Sequence, residues 1–419
     1  MLTGLRVLDL STMIVAPLAG TLLADWGADV VKIEQPLVGD HVRRFGAQRN
    51  GQGLYWKTLG RCKQSVALDL HVPEVQALVR RWAPAFDVIV ENFRPGTLER
   101  WNLGPDVLRA TTPGLVVLRT TAFGQEGPYR NRPGFGTIAE AMSGMAAVTG
   151  FPDRPPLLPA FPLADVLAGY LGASAILAAL FRRGRTGVGE VIDLAIYEAA
   201  LKVVESQIVE YDQNGTLHAP HGNRIGDSAP RGAYACADGK WLALSASTQA
   251  VAERVLRTVG GEELAADARF RTNLDRLAHV DELDALVAGW CAQRTRDEAL
   301  AIFDAAHCAT GPLENVETML DNPQVVARES IVSVDDPVLG PVRMSNVFPR
   351  FASVRREALR PGASHVGEHT RDVLARDLQL GEAELERLSL AGAFGPAAAM
   401  FGADRQRRLT GTITRRTSR

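Results

Sequence analysis

The chain has 419 residues, two to three times the ~150-residue prior for one domain, so two substantial domains are expected. Lys and Arg number 46 against 48 Asp and Glu, a net charge of −2 that argues against a dedicated nucleic-acid or anionic-membrane surface. Four cysteines, Cys62, Cys236, Cys291 and Cys308, are scattered without CxxC spacing, which disfavours a disulfide framework and fits a reducing cytoplasm. The opening MLTGLRVLDL lacks a basic segment followed by an apolar one, and the longest apolar run, 166–181, falls short of the ~20 residues of a bilayer span. Neither export nor a membrane span is expected.

In chain order, RVLDL (6–10) reads as a strand, PLAGTLLADWG (17–27) as a helix and ADVVKIE (28–34) as a strand. VQALVRRWAPAF (75–86) precedes the strand DVIVEN (87–92), and VLRA (107–110) precedes GLVVLRT (114–120). Nearly continuous apolar strands alternating with amphipathic helices predict an α/β fold with a parallel sheet covered on both faces. DVLAGYLGASAILAALFRR (165–183) predicts a long buried helix, stopped by its Arg pair and Gly184, before the strand EVIDLAI (190–196). Turn formers crowd 214–232, a linker or functional loop. AYACADGKWLALSA (233–246) predicts a hairpin around Asp238-Gly239, and helical patterns fill 249–308, together a small α+β domain. Strand-like runs return at 331–351 and a helix is predicted over 367–393. The basic tail at 405–419 is short of large apolar residues and reads as disordered.

Several chemistries lack their motifs. The first turn, STMIVAPLAG (11–20), has no GxGxxG, and GxxxxGK[ST], HExxH, GxSxG and Cys/His clusters are absent. No metal site is expected. His218 and His221 fall in a Pro/Gly-rich loop and read as solvated or hydrogen-bonding. Asp165 ends PAFPLAD (159–165) just before the long helix, where it serves either as an ordinary cap or as a carboxylate nucleophile in a cleft. Asn92 and Phe93 follow a predicted strand at the sheet's carboxyl end, where they either form a plain turn or hold a flat ring.

Taken together, an ordered series of segments resembles the family III CoA-transferases, which include formyl-CoA transferase and crotonobetainyl-CoA:carnitine CoA-transferase, and the related α-methylacyl-CoA racemases. The series runs LTGLRVLDLS (2–11), GADVVKIEQP (27–36), SVALDL (65–70), VENFRPG (90–96), GQEGPYRNRPGF (124–135), IAEAMSGMAAVTG (138–150), PLAD (162–165), HGNR (221–224), ADGKWLAL (237–244) and GEHT (367–370).

The resemblance implies a Rossmann-like large domain formed by both chain ends, a smaller α+β domain, and an interlocked-ring homodimer. The expected boundaries are 1–205 for the first part of the large domain, 206–230 a linker, 231–325 the small domain, 326–400 a linker and the C-terminal part of the large domain, and 401–419 the tail. It implies a CoA-transferase that moves CoA from an acyl-CoA to a free carboxylic acid through aspartyl anhydride and aspartyl-CoA thioester intermediates, with Asp165 as nucleophile. Coenzyme A is then a substrate, with no tightly bound cofactor. Leu68, Asp69, Asn92, Phe93, Arg94, Arg100, Pro133, Gly134, Phe135 and Gly136 match positions that hold CoA in the family.

Two departures bear on chemistry. Formyl-CoA transferase carries a Gln where this chain has Ile14 and a Glu where it has Gly136, which weakens oxalate as acceptor. The alternatives are a racemase and a non-catalytic CoA-binding protein. The racemase's acid–base positions fall on Phe135 and near Thr248, neither able to carry a proton in this role.

Overall fold

A computed structural model describes residues 1–352 and 359–395; the tail expected at 401–419 lies outside them. The described residues form two units, one of Met1–Met145, Pro159–Val209 and the described part from Glu329 on, the other of Ala146–Leu158 and Glu210–Arg328.

Six parallel strands organise the first unit: β1 (Arg6–Asp9), β2 (Asp29–Glu34), β3 (Lys63–Ala67), β4 (Val88–Glu91), β5 (Val116–Thr121) and β6 (Val191–Ala195). Their spatial order is β3-β2-β1-β4-β5-β6, that of doubly wound nucleotide-binding folds. It reverses direction at β1, so the turns leaving β1 and β4 open side by side at the carboxyl edge. Val7, Leu8, Val30, Val31, Val88, Ile89 and Val90 are fully buried, as continuous apolar strands require.

One face of the sheet carries α1 (Val15–Asp25) and a long helix at Leu163–Thr186, which pack on each other. Close approach explains the helix's small residues: a Cβ at Gly169 would stand 2.8 Å from Leu18, and one at Gly172 3.0 Å from Leu118. Length and composition alone would let this helix cross a membrane, but Ala168, Gly169, Gly172, Ala173 and Ile176 form a stripe buried against the protein. It does not stop at Gly184. Nothing there breaks the hydrogen-bond ladder, and the helix ends at Gly187, whose φ of 71° lets its N–H reach the Arg183 carbonyl.

The opposite face packs Val75, Leu78, Val79 and Trp82 with Leu374, Leu385 and Leu388 from the chain's end. The stretch read as one helix over 367–393 is two, Thr370–Leu378 and Glu382–Leu390, parted by Gln379 in the left-handed region. Ahead of them the GEHT segment caps edge strand β3. Gly367 N–H donates to Ser65 Oγ at 2.8 Å, His369 N–H to the Ser65 carbonyl at 2.9 Å, Ser65 N–H to His369 Nδ1 at 3.1 Å, and Ala67 N–H to Thr370 Oγ1 at 2.9 Å.

In the second unit, strands Arg231–Ala235, Trp241–Ser245 and Thr310–Pro312 form an antiparallel sheet, the first two joined by the hairpin with Gly239 at φ 74°. Helices Gln249–Ala266, Val280–Ala292 and Arg296–Ala305 close a core around Leu242, Val255, Phe270, Val287 and Phe303. Ala146–Leu158 belongs to this unit rather than to the 1–205 block, because Gly222 N–H donates to the Gly150 carbonyl at 2.7 Å and Phe151 lies under Gly222.

Four buried charges lie beneath the β1–α1 turn. Lys63 Nζ meets Asp9 at 2.9 Å and the Pro17 carbonyl at 2.6 Å; Lys32 Nζ meets Asp40 at 2.9 Å and the Ser11 carbonyl at 2.7 Å. Burial alone would raise the Asp9 carboxyl, but Lys32 and Lys63 outweigh it and bring it down to about 2, from an ordinary 3.8. The stability this contributes is present above pH 3.8 and lost as pH falls through about 2. Replacing Asp9 by Asn strands Lys63, while Lys32 keeps Asp40, and should cost about 2 kcal/mol in urea unfolding at neutral pH. Below pH 2 that difference should close; an equal gap at both extremes would refute the charge account.

Candidate active site

The first βα turn has no phosphate-binding glycines, and its geometry is set by side chains. Met13 sits at φ 67° and its N–H donates to Asp40 Oδ1 at 3.0 Å. Asn92, just past β4, accepts from Thr12 N–H at 2.9 Å and donates to the Thr12 carbonyl at 2.7 Å. Its amide thus joins the two turns on either side of the strand-order reversal. Ile14 faces inward against Val42, Trp56 and Leu59.

The ENFRPG turn is held from below. Arg119 on β5 pairs with Glu91 at 2.7 Å and with Glu99 at 2.7 Å, and Phe93 N–H donates to Glu91 at 2.7 Å. Burial pushes the Glu91 carboxyl up to about 7 despite Arg119. Gly96, at φ 82°, opens the short helix Thr97–Arg100, whose exposed Arg100 donates to Thr97 Oγ1 at 2.9 Å. The half-buried Phe93 meets Trp101 edge-on at 5.0 Å, and Trp101 meets His71 at 5.0 Å. His71 in turn bonds Asp69 at 2.8 Å, while Leu68 is buried in the core. Phe93 and Asp69 are therefore linked through Trp101 and His71, which the sequence reading missed because neither lies in a motif. Arg94 is exposed.

Asp165 stands at the same edge of the sheet, because the helix that carries it runs back from the carboxyl ends of β5 and β6. That helix begins at Leu163 after Pro162, so Asp165 lies in its first turn, and the cap position makes no side-chain bond. Asp165 instead accepts the N–H of Gly136, the first residue of helix Gly136–Met142. A Cβ at position 136 would stand 2.7–2.9 Å from its carboxylate, so a side chain there would displace Asp165 from this position. Gly134 is equally confined, its missing Cβ 2.6 Å from Ala122, while Pro133 and Phe135 project outward, Phe135 at 67% exposure.

Asp165 is 8% exposed. Burial first, and then the charge of Glu140, push its carboxyl up to about 6, against the pull of the Gly136 N–H. Burial and Asp165 together also raise the Tyr55 phenol, which marks Tyr55 as a neighbour. Glu140 lies in the segment IAEAMSGMAAVTG (138–150) but was not singled out, and Tyr55 lies in no such segment; each sits on a short helix whose contacts come from distant segments.

A buried, weakly held carboxylate over a glycine amide, beside turns bearing aromatic and basic side chains, suits attack on an activated acyl group. Residues 2–370 match the model of CoA-transferase family III. The chain belongs to this family. It is 42% identical over 388 residues to the succinyl-CoA–D-citramalate CoA-transferase of Chloroflexus aurantiacus, covering 92% of this chain and 96% of that one. It is 37% identical over 391 residues to the succinyl-CoA–L-malate CoA-transferase beta subunit of the same organism, with 92% and 96% covered. Among solved structures, a CaiB/BaiF family protein from Brucella suis superposes with a TM-score of 0.79 at 31% identity, over 90% of this chain and 99% of that one. CoA-transferase activity, with a CoA thioester as substrate, follows from family and relatives together.

For this transferase the raised Asp165 carboxyl works against stability. A carboxyl raised from 3.8 to about 6 favours folding below pH 3.8 and loses that contribution as pH climbs through 6. Asp165→Asn keeps an acceptor for Gly136 without the charge, and should raise unfolding free energy by about 3 kcal/mol at pH 8. The gain should vanish near pH 3.5; a destabilised variant at pH 8 would show that the site is not strained.

Proposed function

We propose that this chain moves CoA from a dicarboxylic acyl-CoA of the succinyl-CoA kind to a small hydroxydicarboxylic acid, with Asp165 as covalent nucleophile. An Asp165 oxygen attacks the thioester carbonyl carbon, the C–S bond breaks, and its electron pair leaves on CoA as thiolate. The thiolate then attacks the aspartyl carbonyl of the mixed anhydride and expels the donor acid as its carboxylate. The acceptor carboxylate opens the resulting aspartyl-CoA thioester, and the steps run in reverse to release the new acyl-CoA and free Asp165. No net proton is taken up. The observation that carries this reading is the Asp165 carboxylate resting on the Gly136 N–H, an amide that can equally receive the oxyanion formed at that carbon. The names of the two Chloroflexus relatives support the substrate class.

In this reading Leu68 and Asp69, with Asn92, Phe93 and Arg94, border the nucleotide and pantetheine, and Pro133, Gly134, Phe135 and Gly136 border the thioester. Arg100, exposed beside Gly96, offers a guanidinium fork to a CoA phosphate. CoA enters and leaves as a substrate, and the cytoplasm supplies it. The enzyme class is that of transferases of CoA groups, EC 2.8.3.

The assembly proposed is an interlocked homodimer whose large domain is completed by the chain's C-terminal part. Tyr170 and Phe181, on the outward side of the Asp165 helix, are 50% and 65% exposed, apolar surface suited to a partner. Threading would bury far more than a standard ~1,600 Å² interface. Dilution to nanomolar concentration in analytical ultracentrifugation should leave a dimer of one chain type; a folded active monomer, or activity only with a second, different subunit, would overturn this.

Incubation with succinyl-CoA should add CoA to Asp165, and hydroxylamine should release it and leave a hydroxamate on the peptide containing residue 165. Asp165→Ala should lose at least ~10³-fold in transfer, as loss of a covalent nucleophile does. Retention of near wild-type transfer would refute the nucleophile.

A further inference from the structure

Glu140 lies one helical turn after Gly136 and is 2% exposed. Its Oε1 accepts the N–H of Ala164 at 3.1 Å, the residue immediately before Asp165. The same short helix therefore touches the nucleophile's turn twice: through the Gly136 amide, which attracts the Asp165 charge, and through the Glu140 carboxylate, which repels it. Burying a second acid beside a nucleophilic one is costly unless the charge has a use.

Apart from Glu140, Tyr55 and the titratable groups on elements packed against the Asp165 helix are engaged elsewhere or neutral. Tyr55 contributes a phenol from the helix Leu54–Leu59. On Ile196–Leu201, Tyr197 donates to Glu198. On β5 and β6, Arg119 is held by Glu91 and Glu99, and Asp193 accepts the Gln125 N–H. On α1 the acid is Asp25, paired with Arg61. Glu140 is the acid whose charge reaches Asp165.

Resting on the reading that Asp165 is the nucleophile, we propose that Glu140 is a positioning residue that fixes the first turn of the Asp165 helix and loads the resting carboxylate with repulsion. Forming the anhydride or the thioester removes the Asp165 charge, so the repulsion is relieved in both covalent states and favours them over the free enzyme. The raised Asp165 carboxyl is in keeping with this. The carboxylate is also more basic, hence more nucleophilic, when ionised.

The test separates charge from shape. Glu140→Gln keeps an acceptor for Ala164 N–H and removes the charge; Glu140→Met, uncharged and similar in length, is the second variant should the first not fold; Glu140→Asp restores a charge. Water-soluble carbodiimide couples glycine ethyl ester to protonated carboxyls, and peptide mass reads the extent at Asp165 as a function of pH without any need for activity. The midpoint of this labelling should fall by at least ~0.5 pH unit in the Gln or Met variant, a threefold change in proton affinity, and return toward wild type in the Asp variant. With succinyl-CoA as probe, the fraction of chains carrying CoA at equilibrium should drop by a similar factor. An unmoved midpoint in an uncharged, folded variant overturns the proposal. If wild type itself forms no CoA adduct, the nucleophile reading fails, while the labelling midpoint still judges Glu140.

Discussion

The contact between Lys63 and Asp9, both fully buried, governs how the carboxyl edge of the sheet is arranged. A buried ion pair contributes little net stability, since desolvation offsets most of the attraction. Its value here is directional. Asp9 ends β1, Lys63 begins β3, and Lys32 of β2 extends the pair to Asp40. The lysines also donate to the Pro17 and Ser11 carbonyls of the first turn, and Asp40 accepts from the Met13 amide of that turn and from the Val42 amide two residues beyond itself. A nucleotide fold without its glycine-rich turn thus obtains a defined first turn from side chains, and Asn92 passes that definition to the neighbouring loop.

The site above this floor combines opposed demands on one carboxylate. Burial and Glu140 make the charge costly, while the Gly136 amide makes its position definite. Asp165 is therefore held in place more firmly than it is stabilised, a condition suited to the nucleophilic role proposed for it. Gly136 is the geometric key, because any side chain there would occupy the space of the carboxylate.

Which parts were legible in the sequence follows from what each part depends on. β1, β2, β4 and β5 are short strands, nearly all of whose residues are buried, which makes them mostly apolar and readable, while the edge strand β6, with its exposed Asp193, was readable from the Val, Ile and Leu around it. β3, with the sequence KQSVA, carries no apolar run, because its lysine is buried by charge pairing and its serine bonds Glu34 and the GEHT segment. Thr310–Pro312 escaped for lack of length, and the Asp165 helix ran past Gly184 because one glycine does not end a helix whose other residues pack well. At the candidate site, Asp165 was singled out by its place in PLAD (162–165) and Gly136 by the resemblance, and the fold brings the two together. Glu140 lay within the segment IAEAMSGMAAVTG (138–150), yet nothing local marked its side chain, and Tyr55, His71 and Trp101 were likewise unmarked, since their contacts come from neighbours distant in sequence.

The GEHT segment has a consequence for how the polypeptide is made. The backbone bonds and the Gly367 amide that cover β3 come from residues some three hundred positions later, after the whole second unit. A ribosome adds roughly 5–20 residues per second, so tens of seconds separate the emergence of this strand from that of its cover. Through that interval the strand's edge stands open while the intervening unit, complete in itself, can already fold. Nascent chains of this protein are thus most exposed to wrong strand pairing, and to capture by another copy, until residues 367–370 emerge.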